Sequence, residues 1–233
     1  MFSNTIPNEV IFNTLRILKQ ANPGDLYLEN YLSHLRQHGR SFYDTYHVMW
    51  QIGIEFKPKT IMEIGVRTGI SVCQLLSAFI HDEYDKIERV VLCDLFSDGF
   101  CSTRLVEYNL HTLGIPDSVK SKVEFIVGDS KNEIPKFIKD NPEQTFDYIL
   151  VDGSHDVNDA RVDLNTVHPI VSAGGFVVFD DLSPTGMMLK PVWDAFKADH
   201  FDDYEWYENL NGKGVGVGRK LRTGTKLLSE DVS

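Results

Sequence analysis

The sequence predicts an α/β protein with a mostly parallel, seven-stranded sheet that ends in an antiparallel hairpin and carries helices on both faces. Three observations lead there. After Pro58, short uninterrupted apolar runs alternate with helical stretches, which is how parallel strands buried on both faces read. Five such strand–helix units follow one another. The last two apolar runs, residues 204–207 and 215–218, are separated only by a turn region around Asn209-Leu210-Asn211-Gly212, and strands joined so closely pair antiparallel.

The elements follow in order. Residues 1–58 are expected to form an N-terminal helical cap. Val10, Ile11, Leu15 and Leu18 recur at helical spacing between Pro7 and Asn22-Pro23-Gly24, and 27–37 and 43–56 offer two more helices. The last is aromatic, with Phe42, Tyr43, Tyr46, Trp50 and Phe56. Aromatics at helical spacing fit a core better than a pocket. The main domain spans 59–221. Its strands are expected at 60–64, 89–93, 123–127, 148–151 and 176–179, and its helices at 70–80, 103–113, 134–138, 157–171 and 191–198. Residues 222–233 form a tail.

Bulk properties narrow the function. A chain of 233 residues with 42% apolar content has enough material for a full core. The net charge of −11 comes without a Lys/Arg cluster, which argues against nucleic acid or an anionic membrane as partner. Cys73, Cys93 and Cys101 lack metal-ligand spacing and fit reduced thiols in a cytoplasmic protein. An apolar N-terminal helix offers a contact for a homodimer.

The chemistry sits at the ends of the strands. Glu63-Ile64-Gly65-Val66-Arg67-Thr68-Gly69-Ile70-Ser71 closes the first strand and opens a helix. Glycines there let the backbone turn sharply and approach a ligand, and helix N–H groups suit a carboxylate or phosphate. The Gly-x-Gly-x-x-Gly spacing of dinucleotide sites is absent. A tight turn without ligand explains the segment equally well. Asp94, with Asp98 as its rival, follows the second strand, where a carboxylate accepts ribose hydroxyls. Asp129-Ser130 follows the third, and Asp129 alone reads as a helix N-cap. Asp152-Gly153-Ser154-His155 follows the fourth and Asp180-Asp181 the fifth. Adjacent strands lie about 4.8 Å apart, so these acids converge. Three such carboxylates repel unless a cation sits between them, and oxygen ligands suit Mg²⁺ or Mn²⁺. A neutral imidazole at His155 suits a general base.

On these residues the sequence resembles the class I S-adenosylmethionine-dependent methyltransferases, in particular the metal-dependent catechol and macrolide-sugar O-methyltransferase branches. The resemblance covers about residues 43–220 and implies their Rossmann-like fold. It implies that Glu63, Gly65, Arg67, Gly69, Ser71, Asp94, Asp129, Ser130 and Asp152 hold the cofactor, and that Asp152, Asp180 and Asp181 hold the metal. His155 and Asp152 would be catalytic, with His155 the base, as in the macrolide-sugar branch. The acceptor would be a small-molecule hydroxyl, in that branch on a sugar. Two other readings remain: a nicotinamide-dependent Rossmann oxidoreductase, which the missing glycine and the terminal hairpin oppose, and a non-catalytic S-adenosylmethionine-binding protein.

Overall fold

A computed structural model describes residues 8–24, 26–38, 44–79, 81–97, 101–184 and 186–222. Phe42, Tyr43, Asp98, Pro7 and residues 223–233 of the expected tail lie outside these.

Three helices come first: α1 (Asn8–Ala21), α2 (Leu26–His38) and α3 (Asp44–Phe56). Then β1 (Thr60–Ile64), α4 (Ile70–Leu76), α5 (His81–Tyr84), β2 (Arg89–Asp94), α6 (Thr103–Thr112), α7 (Asp117–Lys120), β3 (Val123–Val127) and α8 (Ser130–Asp140) follow. The chain ends with β4 (Phe146–Val151), α9 (Val157–Val167), β5 (Val171–Phe179), α10 (Lys190–Asp199), β6 (Tyr204–Asn209) and β7 (Val215–Lys220). The sheet order is β3-β2-β1-β4-β5-β7-β6. β1 to β5 pair in parallel, and β7 pairs antiparallel with both β5 and β6. The expected seven strands and terminal hairpin are all present.

Side chains alternate across the sheet with the period of two that a strand imposes. Ile61, Val90, Leu92, Leu150 and Val178 face a cluster that takes in α1, α2, α3, α4 and α6. Met62, Val91, Ile149, Val151 and Val177 face the opposite cluster, closed by α8, α9 and α10. The apolar stripe of α1, made of Ile11, Leu15 and Leu18, is fully buried in the first cluster. The N-terminal helices therefore share the sheet's core.

Two expected helices are shorter than their periodicity suggests. The expected helix 157–171 stops at Val167, and a 3₁₀ turn at His168–Ile170 carries Pro169. The proline has no N–H to continue the ladder. Val171 instead starts β5, five residues before the expected strand, through Ser172-Ala173-Gly174-Gly175. A register shift between Phe146 and Tyr148 of β4 accommodates that early start. The expected helix 70–80 closes at Leu76, where Ala78 and Phe79 N–H bond to Leu75 and Leu76 carbonyls three residues back.

Candidate active site

β1 lies between β2 and β4, whose connections leave the sheet in opposite directions. Ligands in open α/β sheets bind in the crevice at such a switch point, beyond the strand C-termini. A cleft of about 660 Å³ opens there, within the range that holds a small ligand.

The first wall is the loop from β1 to α4. Gly65 has φ +87°, and a Cβ placed on it would lie 1.9 Å from the carbonyl oxygen of Asp152. Only glycine fits between these two strand ends. Its N–H bonds to the Cys93 carbonyl at 2.9 Å, while Asp152 N–H bonds to Ile64. The three strand ends are thus stitched together at the cleft floor. Arg67 and Ser71 line the cleft; Glu63 and Gly69 do not. Glu63 is 1% exposed, and the Ser71 hydroxyl donates to its carboxylate. Burial, helped by the charge of Asp94 and opposed by the Ser71 bond, pushes Glu63 up to about 8.

Asp94 stands at the end of β2. Its Oδ2 accepts the Arg67 N–H at 2.8 Å, and its Oδ1 accepts the Phe96 N–H and the Cys101 thiol. Each carboxylate oxygen has two lone pairs, so acceptor capacity remains toward the cleft. Asp129 caps α8 by accepting the Lys131 N–H at 3.0 Å, as its position after β3 suggests. Asp129 and Ser130 both line the cleft.

The far end is acidic. His155 Nε2 lies 3.1 Å from Asp181 Oδ2. The Lys213 ammonium lies 2.9 Å from Asp181 Oδ1 and 3.2 Å from Asp180 Oδ2. Thr45 on α3 donates to Asp180 Oδ1 at 2.7 Å. Asp152, His155, Asp181 and Lys213 line the cleft, whereas Asp180 lies behind them. Ligand atoms of Asp152, His155 and Asp181 fall within 4.8 Å of one another. Burial, then the charge of Asp180, raises Asp152 well above the usual carboxylate range, with Lys213 pulling the other way. Burial also acts to raise Asp181, but His155 and Lys213 together outweigh it and hold this carboxyl low.

The fold therefore gathers Gly65, Arg67, Ser71, Asp94, Asp129, Ser130, Asp152, His155 and Asp181 around one cleft. Glu63, Gly69 and Asp180 stand just behind its surface. Lys213 and Thr45 have no local sequence pattern that marks them, and Tyr46, one of the α3 aromatics read as fitting a core better than a pocket, is buried in the core cluster and also lines the cleft. Pairing β7 antiparallel to β5 brings the turn before β7 beside Asp181, which is the signal that points to Lys213. Another group, His168, His200 and Asp203, lies where β5 and β6 begin, away from the cleft residues. Its imidazoles stack at 3.7 Å with planes 23° apart, so their in-plane lone pairs do not converge on one ion.

A family described as a methyltransferase domain matches residues 62–182, which run from β1 past Asp181. The chain belongs to this family. The matched region contains the cleft residues from Ile64 to Asp181, and Lys213 lies beyond it. The "Probable caffeoyl-CoA O-methyltransferase 3" of Dictyostelium discoideum is 25% identical over 175 residues, covering 75% of this chain and 60% of that protein. The chain spans about three fifths of the length of the curated relatives it matches. The O-methyltransferase from Bacillus cereus, solved with SAH, superposes with a TM-score of 0.59 at 14% identity, covering 93% of each chain. CalS11, a TDP-rhamnose 3'-O-methyltransferase of calicheamicin biosynthesis, superposes at 0.56 with 20% identity, covering 94% of this chain and 96% of its own. These likenesses extend the methyltransferase fold over both the N-terminal helices and the terminal hairpin.

Proposed function

We propose that this protein transfers a methyl group from S-adenosylmethionine to a hydroxyl oxygen of a small molecule. The observation that carries the proposal is one cleft with two chemically distinct ends. Gly65, Asp94 and Asp129 form the end suited to a nucleoside, and His155, held by Asp181, forms the end suited to proton removal.

The residues present fit the cofactor. Asp94 keeps acceptor capacity on Oδ2 beside a backbone that only glycine permits, and Arg67, Ser71 and Ser130 complete that wall. Bound S-adenosylmethionine supplies a methyl group on a positively charged sulfur. His155 is 44% exposed toward the cleft, while Asp181 is 2% exposed behind it. A neutral His155 that keeps its Nε2–H directed at Asp181 leaves the Nδ1 lone pair to take the proton of the acceptor hydroxyl. Asp181 then stabilises the imidazolium. Orientation of the acceptor oxygen along the attack line supplies much of the remaining rate. Tyr46 lets the helical segment 1–58 act as a cap over this end.

The expected Mg²⁺ or Mn²⁺ ligands fit less well. An ion placed between Asp180 and Asp181 would have to displace Lys213, whose ammonium lies 3.2 and 2.9 Å from their carboxylates. The proton transfer described above needs no ion. The resemblance to the macrolide-sugar branch implies a sugar hydroxyl as acceptor, and the structural neighbours include a TDP-rhamnose 3'-O-methyltransferase. Cys73 and Cys93 are buried free thiols, in keeping with a cytoplasmic setting.

Calorimetry with S-adenosylmethionine, S-adenosylhomocysteine and NAD tests the proposal. Binding of both adenosyl ligands is expected. NAD binding without either of them would overturn it in favour of an oxidoreductase.

A further inference from the structure

The acidic end of the cleft holds three carboxylates, Asp152, Asp180 and Asp181, in a partly buried space. Such a group needs a positive charge near it. The side chains of Asp180 and Asp181 are 7% and 2% exposed, so solvent screens their charges little. Lys213 supplies the positive charge from within the chain, bridging the two carboxylates at 3.2 and 2.9 Å.

The turn that carries Lys213 is built to hold it there. Gly212 and Gly214 flank it with φ +59° and +80°, and the Gly214 N–H bonds back to Asn211 at 3.1 Å. Leu182 N–H bonds to the Gly214 carbonyl at 3.2 Å, and Ser183 N–H to the Lys213 carbonyl at 2.8 Å. The Ser183 hydroxyl donates to the Gly212 carbonyl. A Cβ on Gly214 would lie 2.7 Å from Ser183 N, and one on Gly186 would lie 2.5 Å from the Lys213 carbonyl oxygen. The turn before β7 is therefore clamped, backbone to backbone, onto the two residues that follow Asp181. A surface lysine that reached the acids by chance would have no such anchorage.

We propose that Lys213 is the resident cation of this site, taking the place between Asp180 and Asp181 that a divalent ion would take. This rests on the methyl-transfer reading for its purpose, though not for its geometry. An ammonium is a single compact charge with directional protons. It offsets part of the charge of the acid pair and holds Asp181, and through Asp181 it positions His155. It offers no open coordination site to an acceptor oxygen. The acceptor is accordingly one that binds through one hydroxyl rather than by chelation through two.

Mn²⁺ binding to the full-length protein, followed by the loss of the free-ion paramagnetic resonance signal, tests this directly. Wild type is expected to leave Mn²⁺ free at concentrations where Lys213→Met takes it up, with affinity at least about ten-fold tighter in the variant because the acids have lost their counter-charge. Lys213→Arg keeps the charge and should behave as wild type. Adding Asp181→Asn to Lys213→Met should abolish the gained site. Wild type binding Mn²⁺ as tightly as Lys213→Met, or tightly on its own if that variant fails to fold, would overturn the proposal. S-adenosylhomocysteine calorimetry on the same wild-type sample separates the two readings. No adenosyl binding sinks methyl transfer, whereas the manganese result alone decides the role of Lys213.

Discussion

His155 on the loop after β4 and Asp181 at the end of β5 face each other at 3.1 Å, an exposed imidazole held by a buried carboxylate. Their strands pair in parallel with Val151 opposite Phe179, so the loops that carry the two residues leave the sheet side by side. If His155 is the base, His155→Ala should lower the single-turnover rate by roughly 10²–10⁴-fold. Binding of S-adenosylhomocysteine should change by less than about two-fold, because the lost interaction belongs to the transition state. A variant with an unchanged rate, or one that loses both together, would show that the imidazole only shapes the cleft.

Gly65→Ala tests the cleft floor. The added methyl would meet the Asp152 carbonyl oxygen at 1.9 Å, in a backbone conformation with φ +87°. Neither neighbour is a flexible side chain that can swing away. The expected cost is about 2 kcal/mol or more in urea unfolding, together with loss of adenosyl-ligand binding. Wild-type stability and binding would mean that β1 and β4 separate more easily than their pairing implies.

Much of this site is legible in the amino-acid order alone, for a simple reason. Uninterrupted apolar runs mark buried parallel strands, and chemistry in such sheets collects at strand C-termini, so Asp94, Asp129, Asp152, His155 and Asp181 stand out by position. The helix ends are less visible. Val171 continues the helical apolar spacing of Leu164 and Val167, yet Pro169 breaks the backbone and Val171 opens β5. Glu63 reads as a cofactor ligand from its spacing to Gly65; its burial and its bond from Ser71, just behind the cleft surface, are long-range facts that spacing does not encode. Lys213 stays hidden because its role depends on the antiparallel pairing of β7 with β5, a long-range relationship that no local pattern encodes.

Trp193 on α10 tests the terminal hairpin. It is fully buried, lies 6.0 Å from the Phe179 ring and meets Trp206 edge-on at 5.2 Å. Gly216 of β7 leaves room for it, since a Cβ there would sit 2.3 Å from the indole. Trp193→Ala should cost about 3–5 kcal/mol in urea unfolding, and Trp193→Phe markedly less. Because β7 begins just beyond Lys213, the alanine variant should also loosen the acidic end of the cleft and speed amide exchange at Val215–Val217. Unchanged exchange would show that the backbone bonds from Leu182 and Ser183 hold the turn without Trp193.

A last prediction concerns pH. Asp163 on α9 is 2% exposed, and burial, with the charges of Asp129 and Asp159 adding to it, raises its carboxyl to about 6 while Ser130 pulls it back. The folded state then binds more protons than the unfolded state between about pH 4 and 6, so stability falls as pH rises through that window. His168 acts in the opposite sense. Burial lowers it to about 4, helped by His200 and Lys220 and resisted by Asp203, and Tyr204 lies 3.0 Å from its Nδ1. Its contribution is lost as pH falls from about 6.5 toward 4, because only the unfolded state takes up that proton. The two trends overlap and mask each other in a wild-type melting curve. Asp163→Asn separates them: it removes the buried charge and keeps an acceptor for Ser130. The variant should be more stable than wild type above pH 6, on the order of 2 kcal/mol, and the difference should vanish near pH 4. A difference that stayed constant across that range would mean that the variant acts through packing and that Asp163 carries no buried charge.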